Sequence, residues 1–289
     1  MKAVCVILNY NDAETVRKLI QKVRGYSCLE HIIIVDNAST DNSWERLLML
    51  QDKKVSVIRA GDNGGYGAGN NLGVRYGMKK YGADYALLCN PDVMFSEECI
   101  CQMLKIFQNH EDIGIVTAKM TDSTYKNLQN GWPLRCFLGE LLAMGPVSRR
   151  LFRSVINYPA SYFRGKKAVY VDVVHGSMLM VNTKAFKESG GYDERIFLYQ
   201  EEAVLARRMK GAGYRTVLVL KEEYQHEHGA SISKSVKNVL SRQKMREDSV
   251  MYYFRHYLHI NRGKAMIAKV WFGLIRGEII AGEMIKKLS

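Results

Sequence analysis

The sequence predicts an α/β protein with a mostly parallel central sheet flanked by helices, followed by a C-terminal helical extension. Short β-rich runs alternate with amphipathic stretches over the first 120 residues, polar clusters follow three of those runs, and the last fifth is basic and helix-like.

The first run, Ala3 to Leu8, is apolar and is broken by Asn9, Asn11 and Asp12. It is too short for a signal-peptide core and suits a buried strand. Further strands are expected at His31–Asp36, Val55–Arg59, Tyr85–Cys89 and Ile113–Ala118. Helical periodicity separates them at Asp12–Val23, Asn42–Leu50, Ala68–Lys80 and Glu97–Asn109. Parallel strands need such crossovers, because each must return the chain to the same end of the sheet. From Thr121 to Lys167 the pattern loosens around Trp132, Pro133, Pro146 and Pro159, with one helix-like run at Phe137–Met144, and reads as an insertion. Strands return at Ala168–Val173 and Ser177–Val181, then a helix at Tyr199–Lys210, a strand at Thr216–Leu220, and helix beyond Ser233. The division is one domain over 1–232, with halves 1–120 and 121–232, and a basic extension over 233–289.

A chain of 289 residues with 47% hydrophobic content can bury a full core, which excludes a disordered protein. No run reaches the roughly 18 to 20 apolar residues that cross a bilayer. A cytoplasmic protein is expected, free to lie peripherally on the inner face of the membrane. The six cysteines are scattered without a CxxC pair, so neither a zinc site nor a disulfide framework is supported. Net charge is +13, and residues 231–289 hold twelve Lys or Arg against four Asp or Glu, so most of the excess is local. Nucleic acid is disfavoured because no binding motif accompanies that charge. Between residues 263 and 288, Ile267, Val270, Trp271, Leu274 and Ile280 are interleaved with Lys264, Lys269 and Arg276. Such a helix suits an anionic leaflet. The alternative is a helix packed on the core or on a second copy of the chain, which leaves a homodimer open.

Polar residues follow the first, second and fourth strands: Asn9-Tyr10-Asn11, Asp36 through Asp41, and Asn90-Pro91-Asp92. Each alone suits a helix cap or a turn. Their shared phasing places them along one crevice at the carboxyl ends of the strands, where such sheets bind ligands. The glycine-rich segment 63–71 follows the third strand and lacks the GxGxxG spacing, which argues against a nicotinamide enzyme. Its glycines would let the backbone approach a flat or phosphorylated ligand at the start of a helix.

Taken together, the stretches VCVILNYN (4–11), VDNASTDNS (35–43), NGGYGAGNN (63–71) and NPDV (90–93) resemble the motifs of family 2 glycosyltransferases, nearest to their rhamnosyltransferase-like members. The resemblance continues in order through HGSM (175–178), GGYDE (190–194), YQEE (199–202) and HEHGAS (226–231). It implies a GT-A fold and a metal-dependent hexosyltransferase using Mg²⁺ or Mn²⁺. Such an enzyme moves a sugar, with inversion, from a nucleotide-diphosphate donor of the dTDP-rhamnose or UDP-hexose type. The implied acceptor is a hydroxyl of a growing, lipid-linked cell-surface polysaccharide.

The resemblance also implies roles for individual positions. Asp36 would bind the nucleoside, with Asn9, Tyr10 and Asn11 as the neighbouring wall and Asn37, Gly65, Asn70 and Asn90 completing the donor side. Asp92 and His226 would hold the metal; His228 is a weaker candidate. Glu202 would be the general base, with Glu201 as fallback, and His175 and Gly176 would line the acceptor side. Asn90 stands where the family's DxD motif has its first carboxylate. Glu202 and Val204 replace the second and third acids of the usual Glu-Asp-x-Asp, which keeps an inactive nucleotide-sugar-binding or scaffold protein as the alternative. A sugar nucleotidyltransferase would want a Gly-rich basic loop after the first strand, and residues 9–12 supply none.

Overall fold

The computed structural model of the protein describes residues 1–108, 110–121, 130–226 and 238–288. The first half is built from β1 (Ala3–Asn9), α1 (Ala13–Val23), β2 (His31–Asp36), α2 (Ser43–Leu48), β3 (Val55–Arg59), α3 (Gly65–Tyr81) and β4 (Tyr85–Cys89). Then come β5 (Val93–Met94), α4 (Glu97–Gln108) and β6 (Ile113–Thr121). The segment read as an insertion holds β7 (Gly131–Trp132), α5 (Phe137–Met144), α6 (Pro146–Leu151) and α7 (Arg153–Ile156). Beyond it lie β8 (Ala168–Val171), β9 (Val173–Val174), β10 (Met178–Asn182), α8 (Thr183–Glu188), α9 (Glu201–Gly211) and β11 (Arg215–His226). Two long helices follow, α10 (Val239–His256) and α11 (Arg262–Leu288).

The main sheet has the order β3-β2-β1-β4-β10-β6-β11-β5, with β8 also pairing to β11. Strands β3, β2, β1 and β4 are parallel, as their alternation with helices requires. Beyond β4 the sheet is mixed. β10 runs antiparallel between β4 and β6, β6 and β11 are parallel, and β8 and β5 are antiparallel to β11. The parallel strands are apolar along almost their whole length because helices cover both faces, with Ile7, Ile32, Ile34 and Leu87 on one side and Val6, Ile33, Val35 and Leu88 on the other.

One face is closed by α3, and its glycines explain how near it sits. A Cβ on Gly69 would lie 2.3 Å from Leu8 Cδ1, one on Gly73 2.3 Å from Val6 Cγ1, and one on Gly77 3.0 Å from Val4 Cγ2. Strand side chains therefore occupy the space that larger residues would need. Gly65 opens the helix with φ +87°, and a Cβ there would collide with the Phe197 carbonyl.

A third cluster joins α5, α9, α10 and α11 through Leu141, Met144, Val204, Val250, Tyr253, Phe254 and Phe272. Val204, standing where the family has an acid, is fully buried there, so its position is part of a core. Trp271 donates its indole N–H to the Leu141 carbonyl at 2.8 Å. Of α11, Ala268, Phe272 and Ile275 face this cluster, whereas Met266, Val270, Leu274 and Ile280 are exposed. The helix thus has one face on the core and a second apolar face outside. No described helix is long and apolar enough to cross a membrane.

Candidate active site

The strand ends converge as their shared phasing predicts. At the end of β1, Asn9 Nδ2 donates to Asp36 Oδ1 and to Ser39 Oγ, both at 3.0 Å. Asp36 is fully buried, and its Oδ2 accepts from the Ser39 backbone N–H at 3.2 Å and faces Arg59 Nε at 3.3 Å. Asn11, at φ 54°, accepts from the Thr40 backbone N–H at 2.8 Å, while its own N–H donates to Ser39 Oγ. Tyr10 is half-buried beside it. Asn37 donates to Asn63 Oδ1 at 2.8 Å and to the Gly65 carbonyl at 3.1 Å. Its buried amide oxygen accepts no hydrogen bond among the described residues. The loops after β1, β2 and β3 are thereby fastened into one wall.

Arg59 was not singled out from the sequence, although it ends β3 as Asp36 ends β2. Its guanidinium also donates to the Ser39 carbonyl at 3.1 Å and lies over Trp44, 5.3 Å from the ring centre. The rule that placed the other clusters would have found it. Asn70 donates to the Tyr66 carbonyl one turn back within α3. Its neighbour Asn71 spans to the GGYDE loop, donating to the Tyr192 carbonyl and accepting from the Tyr192 N–H, each at 3.0 Å.

At the end of β4, β5 pairs antiparallel with the last residues of β11, Val93 opposite His226. That register sets Asp92 beside His226, with Oδ1 3.3 Å from Nε2 and both side chains almost fully buried. Asp92 Oδ1 accepts no hydrogen bond among the described residues. An anionic oxygen without a donor next to an imidazole nitrogen suits a divalent cation. No group of three or more such ligands occurs among the described residues. Glu227, His228 and the rest of the motif to Ser231 lie outside them.

The turn from His175 to Ser177 joins both halves. Asn90 N–H donates to the Ser177 carbonyl at 2.8 Å, and the His175 ring lies 5.6 Å from that of His226. Ser177 Oγ bonds the buried Tyr224 hydroxyl at 2.7 Å. Tyr66 donates its hydroxyl to the Gly176 carbonyl. On the other side of the turn, a Cβ on Gly176 would come within 3.1 Å of Glu202 Oε1. Any larger residue at 176 would press on that carboxylate.

Glu201 and Glu202 open α9 directly after Tyr199 and Gln200, which hold φ of 71° and 70°. The sequence reading began this helix at Tyr199; two consecutive left-handed residues instead turn the chain sharply there. Glu201 is buried and its Oε2 has no hydrogen-bond partner among the described residues, whereas Glu202 is partly exposed. Burial pushes both carboxyls above the usual range, Glu201 further because the charge of Glu202 adds to it.

With this geometry in view, the comparisons are decisive on ancestry: the Glycosyl transferase family 2 profile matches residues 4–188. The chain belongs to that family. Among curated proteins, this family 2 member is 26% identical over 206 residues to the low-salt glycan biosynthesis hexosyltransferase Agl10 of Haloferax volcanii. That match covers 71% of this chain and 60% of the relative. It is 23% identical over 224 residues to the rhamnosyltransferase WbbL of Escherichia coli, covering 73% of the chain and 77% of the relative. It is 27% identical over 209 residues to the N-acetylglucosaminyl-diphospho-decaprenol L-rhamnosyltransferase of Mycobacterium tuberculosis, covering 68% and 66%. The mannosyltransferase PcManGT of Pyrobaculum calidifontis, solved with GDP-Man and Mn²⁺, shares the fold at TM-score 0.60 and 11% identity, over 94% of this chain and 69% of that one. GalNAc-T7, solved with UDP, GalNAc and Mn²⁺, matches at 0.58 and 13%, over 78% and 44%. These likenesses establish the GT-A fold.

Proposed function

We propose that this family 2 glycosyltransferase moves a sugar, with inversion, from a nucleotide-diphosphate donor of the dTDP-rhamnose or UDP-hexose type to a hydroxyl of a lipid-linked glycan. The observation that carries this is the His175–Ser177 turn, which sets the Asp92–His226 pair on one side and Glu202 on the other. The names of the rhamnosyl- and hexosyltransferase relatives support the donor class, and the decaprenol-linked relative supports the acceptor.

In this reading Asp36 and Asn9 to Asn11 hold the nucleoside. Asp92 and His226 would hold Mg²⁺ or Mn²⁺, whose positive charge would offset that of the departing diphosphate. Glu202 takes the proton of the acceptor hydroxyl. The hydroxyl oxygen bonds to the anomeric carbon as the bond from that carbon to the diphosphate oxygen breaks, and the electron pair leaves with the nucleoside diphosphate. An acceptor hydroxyl is a poor nucleophile until its proton is being removed, and a carboxylate raised by burial removes it more effectively near neutral pH. The outward apolar face of α11, with Lys264 and Lys269 nearby, supports peripheral contact with an anionic membrane.

Melting curves with dTDP-rhamnose and UDP-hexoses, with and without Mn²⁺, test the donor half. One nucleotide sugar should raise Tm in a metal-dependent way, since a ligand that binds only the folded state stabilises it. No shift with any of them would count against the reading. Within the donor wall, Asp36→Ala should weaken nucleotide binding by about 1.5–3 kcal/mol through loss of a charged hydrogen bond. Calorimetry on the folded variant with unchanged affinity would remove Asp36 from the site. A lowered Tm is expected besides, because Asn9 and Arg59 lose their partner.

A further inference from the structure

The glycine-rich segment 63–71 carries a single aromatic residue, Tyr66, to which the proposed reaction gives no part. Its backbone belongs to the donor wall, because the neighbouring Gly65 accepts the Asn37 amide on its carbonyl and donates its N–H to Asn63 Oδ1, both at 3.1 Å. The Tyr66 N–H donates to the Phe197 carbonyl, also at 3.1 Å, in the stretch that leads into Glu201. That approach needs glycine before it: at φ +87°, a Cβ on Gly65 would lie 2.1 Å from the Phe197 oxygen. The Tyr66 side chain crosses to the acceptor turn, where its hydroxyl donates to the Gly176 carbonyl at 2.5 Å.

The peptide between Gly176 and Ser177 is held at both ends. The Ser177 N–H donates to His175 Nδ1 at 3.1 Å, and the Gly176 carbonyl accepts from Tyr66. Glycine has no side chain to restrict its backbone, so losing the second bond frees the Gly176 end. Glu202 rests against that same residue, its Oε1 within 3.1 Å of where a Gly176 Cβ would stand. The phenol is oriented by packing: its ring stands edge-on to the buried Tyr192 ring, with centres 5.7 Å apart and planes at 84°. Burial pushes its hydroxyl well above the ordinary tyrosine value, so it stays protonated and remains a donor near neutrality.

We propose that Tyr66 is a positioning residue for sugar transfer: through the Gly176 carbonyl, its hydroxyl fixes the turn against which the Glu202 carboxylate rests. Because the same residue is fastened to the donor wall and to the segment entering α9, it sets the spacing between bound nucleotide and base. This rests on Glu202 as the base, proposed above. A displaced base lowers the rate steeply without changing how the donor is held.

Tyr66→Phe keeps the ring and removes only the hydroxyl. Transfer to water, which takes the acceptor's place and gives its proton to Glu202, is read on the full chain with Mn²⁺ as dTDP released from dTDP-rhamnose or UDP from UDP-glucose. At saturating donor, Tyr66→Phe should lower that rate by roughly tenfold or more, with donor Kd from calorimetry and Tm near the wild-type values. In a Glu202→Gln background the same change should cost less than about twofold, because the group it acts through is already gone. Gly176→Ala, which keeps the hydroxyl but presses on Glu202, should reproduce the rate loss. A Tyr66→Phe rate within about twofold of wild type overturns the proposal, as does an equal loss in both backgrounds, which gives Tyr66 a merely structural role. Donor affinity falling as far as the rate also overturns it, placing Tyr66 in the nucleotide site alone. Should Tyr66→Phe lower Tm, Gly176→Ala decides, and a normal rate there overturns the route through the turn. Wild-type release from neither donor, or undiminished release by Glu202→Gln, is a failure of the proposed function, and the role of Tyr66 falls with it.

Discussion

Glu202→Gln should lower sugar transfer by roughly a hundredfold or more, the scale of a lost general base, while donor affinity stays nearly intact. The amide keeps the shape beside Gly176 but takes up no proton. Asp92→Ala should behave differently, weakening metal-dependent donor binding as well as turnover. The two variants therefore separate in titrations of nucleotide with Mn²⁺, where only Asp92→Ala is expected to fail. The wild-type rate should rise with pH through a carboxyl value above the usual glutamate range, since burial raises Glu202 and only its ionised form accepts a proton. Normal transfer by Glu202→Gln with loss in Glu201→Gln would move the base one residue earlier. Normal transfer by both would make the acidic pair structural.

Asp193→Ala should be the most damaging change to stability, costing on the order of 3–5 kcal/mol, because it strips a buried carboxylate from several donors at once. Asp193, with 3% of its side chain exposed, accepts from the Tyr252 and Tyr257 hydroxyls at 3.0 and 2.7 Å and faces Arg208 Nη2 at 3.4 Å. Arg195, itself 65% exposed, grips it with a bidentate guanidinium at 2.9 Å and with its backbone N–H at 3.1 Å. These bonds tie the GGYDE loop to α9 and α10. Against the burial that would raise it, the bonds from Arg195, then Tyr257 and Tyr252, hold the Asp193 carboxyl far below the usual aspartate range. A depressed carboxyl stabilises the fold above its unfolded value and loses that contribution as pH falls through the folded one. The gap in urea-unfolding stability between wild type and variant should accordingly be full near neutrality and close in strong acid. A difference independent of pH would show that packing, and not charge, was lost.

The parallel half of the sheet was legible almost to the residue, because strands buried on both faces must be apolar throughout and their ends are marked by Asn and Asp. β11 was read as ending at Leu220, and it runs on to His226. Lys221, Glu222 and Glu223 mask its continuation, and the register slips between Val219 and Glu223. That masked extension is the part that pairs with β5 and brings His226 to Asp92. The adjacency was therefore anticipated only through the family resemblance. The glycine run of α3 was read as backbone open to a ligand, with the helix beginning at Ala68. In the fold the helix begins at Gly65 and neighbouring side chains and backbone fill the space above most of those glycines.

The glycines of α3 also bear on how the protein folds. Gly67, Gly69, Gly73 and Gly77 lie within the helix, and each makes the helical state about 1 kcal/mol less favourable than alanine would. An isolated segment of this composition would remain coil. The helix therefore draws its stability from packing on Leu8, Val6 and Val4 rather than from its own propensity. The donor wall, tied to α3 through Asn37 and Gly65, thus borrows its firmness from the sheet beneath it.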